Sequence, residues 1–290
     1  MEATRDVSAG PTALVLAGGG SFGAVQAGML RALVAHGLRP DLVIGSSVGA
    51  INGAYFAGAP NVEGVARLEA VWRELRRGAV FPLAWRSVLG LRGDQGFVVN
   101  PAGLRGLLEQ HLGFDRLEQA SLPLYVVATD LLDGVAVPLS SGPAVDAVMA
   151  SCAIPAVFPP VRIDGKFLID GAIASNTPVS VAIDLGARRV IVLPTGFACA
   201  LEAPPRGAIA SALHAITLLI AHQLVMELEL YREQAEIITV PPLCPLSASP
   251  YDFLHAGELI ERAAAQTVRW LERGGLTRER VPPALVAHGH

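Results

Sequence analysis

The sequence predicts an α/β protein on a mainly parallel sheet, from two matching stretches and one compositional excess. Leu14–Leu16 runs into Ala17-Gly18-Gly19-Gly20-Ser21-Phe22-Gly23, and Leu42–Ile44 runs into Gly45-Ser46-Ser47-Val48-Gly49. Each is a short apolar run that ends in glycines and then turns amphipathic, the pattern of a buried strand bending sharply into a helix. Strand, helix and strand within about forty residues form a crossover that puts both glycine corners at the carboxyl edge of one parallel sheet. Hydrophobic residues make up 52% of the 290, with a mean hydropathy of +0.46, while charged residues still make up 17%. That excess points to strands buried on both faces and to an apolar surface that touches lipid.

Taken in order, the first strand spans about 13–17 and its helix about 22–35, which ends at His36-Gly37 with Gly37 just past the helix end. Pro40-Asp41 turns the chain into the second strand, and Val48 to Phe56 is helix-compatible. Asn61 to Arg77 reads as a third helix, with Val65, Leu68, Val71, Trp72 and Leu75 as its core stripe. The stretch 78–100 has no regular period: Phe81, Leu83, Trp85 and Phe97 alternate irregularly with Arg86, Arg92, Pro82 and glycines. It reads either as a flap touching an acyl chain or a membrane interface, or as an ordinary buried loop.

Pro101 to His111 is helical, Leu124 to Ala128 is a buried strand, and Val135–Leu139 and Ala144–Met149 give a strand and a short helix. Val161 to Ile169 is a hairpin turning at Asp164-Gly165. Thr177 is expected to cap a helix beginning at Pro178. Val190–Leu193 is a further strand, and helical patterns at 209–232 and 253–273 flank a strand at 236–240. With no repeat and no low-complexity linker, one domain is expected over 1–290, with its motif-bearing core at about 12–195 and a helical part at about 205–275.

A net charge of −4 and a pI near 6.0 leave no basic stripe, which excludes a nucleic-acid partner. Cys152, Cys199 and Cys244 are odd in number and far apart, which fits free thiols in a reducing compartment rather than disulfides or zinc. Met1 to Asp6 carries acidic residues and no apolar core precedes Pro11, so a secretory signal is not expected. No apolar run reaches the ~18 residues that span a bilayer. The expected location is cytoplasmic, with 78–100 as the candidate membrane-surface contact.

Ser47 has the spacing of a nucleophile elbow, in which Gly45 and Gly49 leave room for a strained turn that projects the hydroxyl. The backbone N–H groups of Gly18, Gly19 and Gly20 suit an oxyanion. A serine nucleophile needs a base, yet none of His36, His111, His214, His222, His255, His288 and His290 follows a strand as a catalytic loop would. Asp170 does: it ends the apolar run Phe167–Ile169 and precedes Gly171. Desolvation there would raise its pKa and make it a better proton acceptor. Asp130, Asp133, Asp146 and Asp164 each fit a loop, helix or turn instead.

These residues resemble the patatin-like phospholipase family in three ordered blocks: Gly18-Gly19-Gly20-Ser21-Phe22-Gly23, Gly45-Ser46-Ser47-Val48-Gly49 and Asp170-Gly171-Ala172. Ala150 to Pro160 and Asn176-Thr177-Pro178 are similar to family sequence as well, so the likeness covers about 12–195. The resemblance implies a three-layer α/β/α sandwich and a Ser47–Asp170 dyad without histidine, acting on a lipid or other ester through an acyl-enzyme. It implies Gly18 to Gly20 as the oxyanion hole, support from Gly23, Gly45, Gly49 and Gly171, and neither metal nor cofactor. Many members carry Arg or Lys where this chain has Phe22, so a cation that would favour phospholipid over neutral esters is missing. Two other classes stay open: a nucleotide-binding module, for which Asp41 starts a strand where a ribose ligand should end one, and a catalytically silent lipid-binding protein on the same fold.

Overall fold

The computed structural model describes residues 10–76, 78, 99–196, 208–246, 252–277, 282 and 285. Apart from its ends, the stretch 78–100 expected as a flap lies outside the described residues, as do Cys199, His288 and His290. Among the described residues, eight strands form one sheet: β1 (Thr12–Leu16), β2 (Leu42–Ser46), β3 (Leu124–Asp130), β4 (Ala136–Leu139), β5 (Val161–Ile163), β6 (Lys166–Ile169), β7 (Arg189–Leu193) and β8 (Glu236–Thr239). Their order is β5-β6-β3-β2-β1-β7-β8, with β4 paired to β3. The pairs β3–β2, β2–β1, β1–β7 and β7–β8 are parallel, whereas β4, β5 and β6 are antiparallel to their neighbours. The chain moves outward from β1 through β2 to β3 and later returns to the other side of β1 at β7. Such a reversal opens a crevice outside the carboxyl ends of the strands, where both glycine corners lie.

In chain order the helices are α1 (Gly23–Ala35), α2 (Val48–Gly58), α3 (Val62–Glu74), α4 (Ala102–His111), α5 (Ala144–Ser151), α6 (Ala172–Ser175), α7 (Val179–Asp184), α8 (Ala208–Tyr231) and α9 (Ala256–Glu272). Alternation along the strands sorts them into two layers. Leu14 and Leu16 pack on the side of α1 to α5 and α9, while Ala13 and Val15 pack on the side of α7 and α8. The result is the expected three-layer α/β/α sandwich. Strand residues are apolar on both faces because both faces are covered.

Local chemistry sets the element ends. Past Gly37, the Leu38 N–H returns to the Leu33 carbonyl at 2.9 Å, which closes α1. Asn61 Oδ1 accepts the Gly64 N–H at 2.9 Å and starts α3, which stops at Glu74 rather than Arg77 because Leu75 is extended. Asp164 and Gly165 both take positive φ, 49° and 82°, in the β5–β6 turn. Thr177 is not a cap: Pro178 occupies that position and no side chain bonds the start of α7. Thr177 is buried instead, with its carbonyl accepting the Val179 N–H at 2.6 Å.

At the β2–α2 corner, backbones approach too closely for a side chain. A Cβ on Gly45 would lie 2.2 Å from the Gly49 oxygen, and one on Gly49 would lie 2.2 Å from the Leu16 oxygen. Gly106, within α4, faces open space. In urea unfolding, Gly49→Ala is therefore expected to lose roughly 2 kcal/mol or more, and Gly106→Ala to gain about 0.5–1 kcal/mol. A neutral Gly49→Ala would show that this corner is not the tight crossing described.

Candidate active site

Ser47 sits between β2 and α2 with φ 54° and ψ −126°, a backbone conformation that costs a non-glycine residue of order 1–3 kcal/mol. The turn stands because its surroundings hold it. The Ser47 N–H donates to Ser151 Oγ at 2.8 Å, and that hydroxyl donates on to the Val127 carbonyl at 2.5 Å. The Ser47 carbonyl accepts the Ala50 N–H at 2.8 Å and so begins α2. The hydroxyl of Ser47 points at Asp170, with Oγ 2.7 Å from Oδ2.

Asp170 follows β6, whose antiparallel pairing with β3 returns the chain to the carboxyl edge. Its other oxygen, Oδ1, accepts the Ala172 N–H at 2.9 Å, and its own N–H donates to Ala153 at 3.0 Å. Thr129 Oγ1 donates to the Asp170 carbonyl at 2.8 Å, and the Gly171 N–H donates to the Ser151 carbonyl at 3.1 Å. Asp170 is 3% exposed, and burial pushes its pKa up to about 6 against the hydrogen bonds from Ala172 and Ser47. The carboxylate is thus poised close to neutrality.

The glycine-rich loop after β1 lies against Ser47: a Cβ on Gly18 would come within 3.1 Å of Ser47 Cβ. One expectation needs correction. The Gly18 N–H is already donated to the Asn176 carbonyl at 3.1 Å, so it is not free for an oxyanion. The N–H groups of Gly19, Gly20 and Val48 have no acceptor among the described residues. Gly19 must lack a side chain, since a Cβ there would sit 2.1 Å from Thr195 Oγ1, which in turn donates to the Gly18 carbonyl at 2.7 Å.

A buried chain of polar groups braces the loop. Gln26 Nε2 donates to the carbonyls of Ala17 and Leu193 at 2.9 and 2.8 Å, closing the ends of β1 and β7. Its Oε1 accepts from Asn52 Nδ2 at 2.8 Å. Asn52 also donates to the Gly23 carbonyl and accepts from Trp72 Nε1, both at 2.9 Å. Gln26, Asn52, Ser151, Thr129 and Thr195 were not singled out from sequence. Ser151 lay within the family-like stretch, and the others are polar residues in apolar runs, a signal that burial would make visible.

Ser47 opens into a cleft of about 630 Å³, counted with its mouth and walled by side chains such as Val48, Ile51, Leu68, Trp72 and Leu104. Cys152 also lines it, but burial and the nearby Asp170 push its thiol pKa well up, which keeps it a neutral, unreactive thiol. Phe22 is fully buried in the helix-side core, so that position does not face the cleft. Asp41 bonds Thr12 at the opposite edge of the sheet, its Oδ2 2.7 Å from the Thr12 nitrogen, which leaves the nucleotide reading without its ribose ligand. His36, His111 and His255 lie at helix ends, and His222 is exposed on α8. Among the described residues, no helix is long and apolar enough to cross a membrane.

The sequence model of the family described as patatin-like phospholipase matches residues 14–183. Patatin-like phospholipase domain-containing protein 7 of Rattus norvegicus is 29% identical over 194 residues, 66% of this chain and 14% of that protein. Lysophospholipase NTE1 of Scheffersomyces stipitis is 27% identical over 185 residues, 64% of this chain and 12% of that protein. An uncharacterized NTE family protein of Mycobacterium tuberculosis is 32% identical over 184 residues, 61% of this chain and 46% of the relative. Among solved structures, VipD from Legionella pneumophila aligns over 92% of this chain and 66% of its own, with a TM-score of 0.49 and 16% identity. The chain spans less than half the length of the sequence relatives it matches. With the family match covering more than half of the sequence and holding both the Ser47 and Asp170 corners, the chain belongs to the patatin-like phospholipase family.

Proposed function

We propose that this protein is a serine hydrolase of lipid carboxylic esters, of the phospholipase A, lysophospholipase or carboxylesterase type, working through a Ser47–Asp170 dyad. The observation that carries the reading is the 2.7 Å hydrogen bond from Ser47 Oγ to Asp170 Oδ2 at the wall of an apolar cleft. The relatives' names, patatin-like phospholipase and lysophospholipase, support the same substrate class.

In this mechanism the acyl chain lies in the cleft and its ester carbonyl meets Ser47 Oγ. Asp170 takes the hydroxyl proton as the Oγ–carbon bond forms, and the carbonyl electron pair moves onto oxygen. The N–H groups of Gly19 and Gly20 hold that oxyanion, with Val48 N–H as a third donor. Protonated Asp170 then gives its proton to the leaving alcohol, and the acyl group stays on Ser47. Water attacks next, with Asp170 again the base, to release the fatty acid and restore the hydroxyl.

A base with a pKa of about 6 is ionised at neutral pH yet still basic enough to draw a proton. Below about 6 it is protonated and cannot accept one. With a soluble p-nitrophenyl ester, kcat/KM is expected to fall about tenfold per pH unit below 6 and to plateau above it. Asp170→Asn should lose at least about 100-fold in kcat, and a fluorophosphonate should label the parent but not Ser47→Ala. A parent that takes no label and hydrolyses no ester would favour the silent lipid-binding reading.

The same shift has a stability consequence. The folded-state pKa of Asp170 lies above its unfolded value of 3.8, so folding disfavours the ionised form. The penalty is absent below about pH 4, grows between 4 and 6, and is complete above 6, at about 3 kcal/mol for two pKa units. Asp170→Asn removes it, so the variant's stability relative to the parent should rise by roughly that amount between pH 4 and 7.5. A difference independent of pH would mean that the carboxylate is not held at cost.

A further inference from the structure

A second cavity, about 800 Å³ with its mouth, lies beyond the cleft at Ser47. The two share Tyr55 and Val71. Both are walled by α2, α3 and α4. On α2 the cleft is lined by Val48 and Ile51 and the second cavity by Ala54 and Gly58, with Tyr55 lining both. On α4 the cleft meets Leu104 and Leu107, and the second cavity meets His111. On α3 the cleft meets Leu68 and Trp72 and the second cavity meets Gly64, Arg67, Ala70 and Glu74, so the two spaces adjoin, with Tyr55 and Val71 in the wall of both.

Tyr55 is eight residues past Ser47 on α2, so it stands about 12 Å along the helix axis from the nucleophile. An extended hydrocarbon advances about 1.2 Å per bond, one third of the ~3.6 Å that three backbone bonds span. About ten carbons thus reach from the ester carbonyl to the ring. The Tyr55 hydroxyl is buried and has no hydrogen-bond partner among the described residues, so packing alone holds the ring in the wall between the two spaces. Beyond it, Ala54 and Phe114 give the second cavity an apolar floor, while Arg67 and Glu74 are exposed at its edge.

We propose that Tyr55 is the residue that sets acyl-chain length, barring chains longer than about ten carbons from the second cavity. This deepens the reading of Ser47 as the nucleophile and rests on it. Chains that end before the ring fill the cleft alone. Longer ones need the space past it.

The test is the kcat/KM profile over p-nitrophenyl esters from butanoyl to hexadecanoyl, read as the hexadecanoyl-to-octanoyl ratio, which cancels losses common to all esters. The parent ratio should be about one tenth or less. Tyr55→Ala should raise it at least tenfold, and Tyr55→Phe, which keeps the ring, should hold it within twofold of the parent. Adding Ala70→Phe, which fills the second cavity and not the cleft, should lower the ratio again in the Tyr55→Ala background. A ratio unmoved by Tyr55→Ala, or moved equally by Tyr55→Phe, overturns the proposal. If the parent hydrolyses no ester, the nucleophile reading fails and chain length is read by binding instead, through the fluorescence of Trp72 in the cleft wall. Tyr55→Ala should then tighten hexadecanoate at least tenfold relative to decanoate; equal changes for both acids overturn the proposal.

Discussion

A carboxylate carried into an apolar interior is the constraint around which this molecule is built. Asp170 is almost wholly buried, and the groups that reach its oxygens are the Ser47 hydroxyl and the Ala172 N–H. Desolvation outweighs both, which is why its pKa climbs rather than falls. Such a group is tolerated only where the fold fixes its partners in place. Ser47 and Asp170 are 123 residues apart in the chain, and two features of the sheet bring them together. Parallel β2 delivers the serine to the carboxyl edge, and antiparallel β6, paired with β3, brings the aspartate back to that edge.

The same edge is held by hydrogen bonds that leave little freedom. Ser151 joins both halves of the site: its hydroxyl accepts from Ser47 and donates to β3, and its carbonyl accepts from Gly171. Gln26 and Asn52 use both of their amide donors and accept one bond each, so this buried network carries no unpaired amide. Through it the loop after β1 is fixed to β7, α2 and α3, which holds that loop against Ser47. In the proposed mechanism the amides of this loop are preorganised donors that need not reorganise as charge develops.

Much of this was legible in the sequence because the signals are local. A glycine two positions either side of Ser47, after an apolar run, reports a backbone crossing so tight that a Cβ on either glycine would lie 2.2 Å from a backbone oxygen. Asp170 could be picked out because it ends an apolar strand and precedes a glycine. What stayed hidden depends on partners distant in the chain. That Gly18 spends its N–H on Asn176 follows from the return of residue 176 to the loop, which no local pattern encodes. The roles of Ser151, Thr129 and Thr195 are likewise fixed by tertiary neighbours. Thr177 was misread for a related reason: its position before Pro178 looks like a cap, but packing buries the side chain and Pro178 takes the capping position.

The account comes down to a carboxyl group whose proton affinity is raised by burial and lowered by a serine hydroxyl. The most direct measurement is a 13C NMR titration of the Asp170 carboxyl carbon in the parent and in Ser47→Ala. The account predicts a midpoint near pH 6 in the parent, moving higher when the Ser47 donor is removed. A midpoint near 4 that ignores the Ser47→Ala change would contradict it.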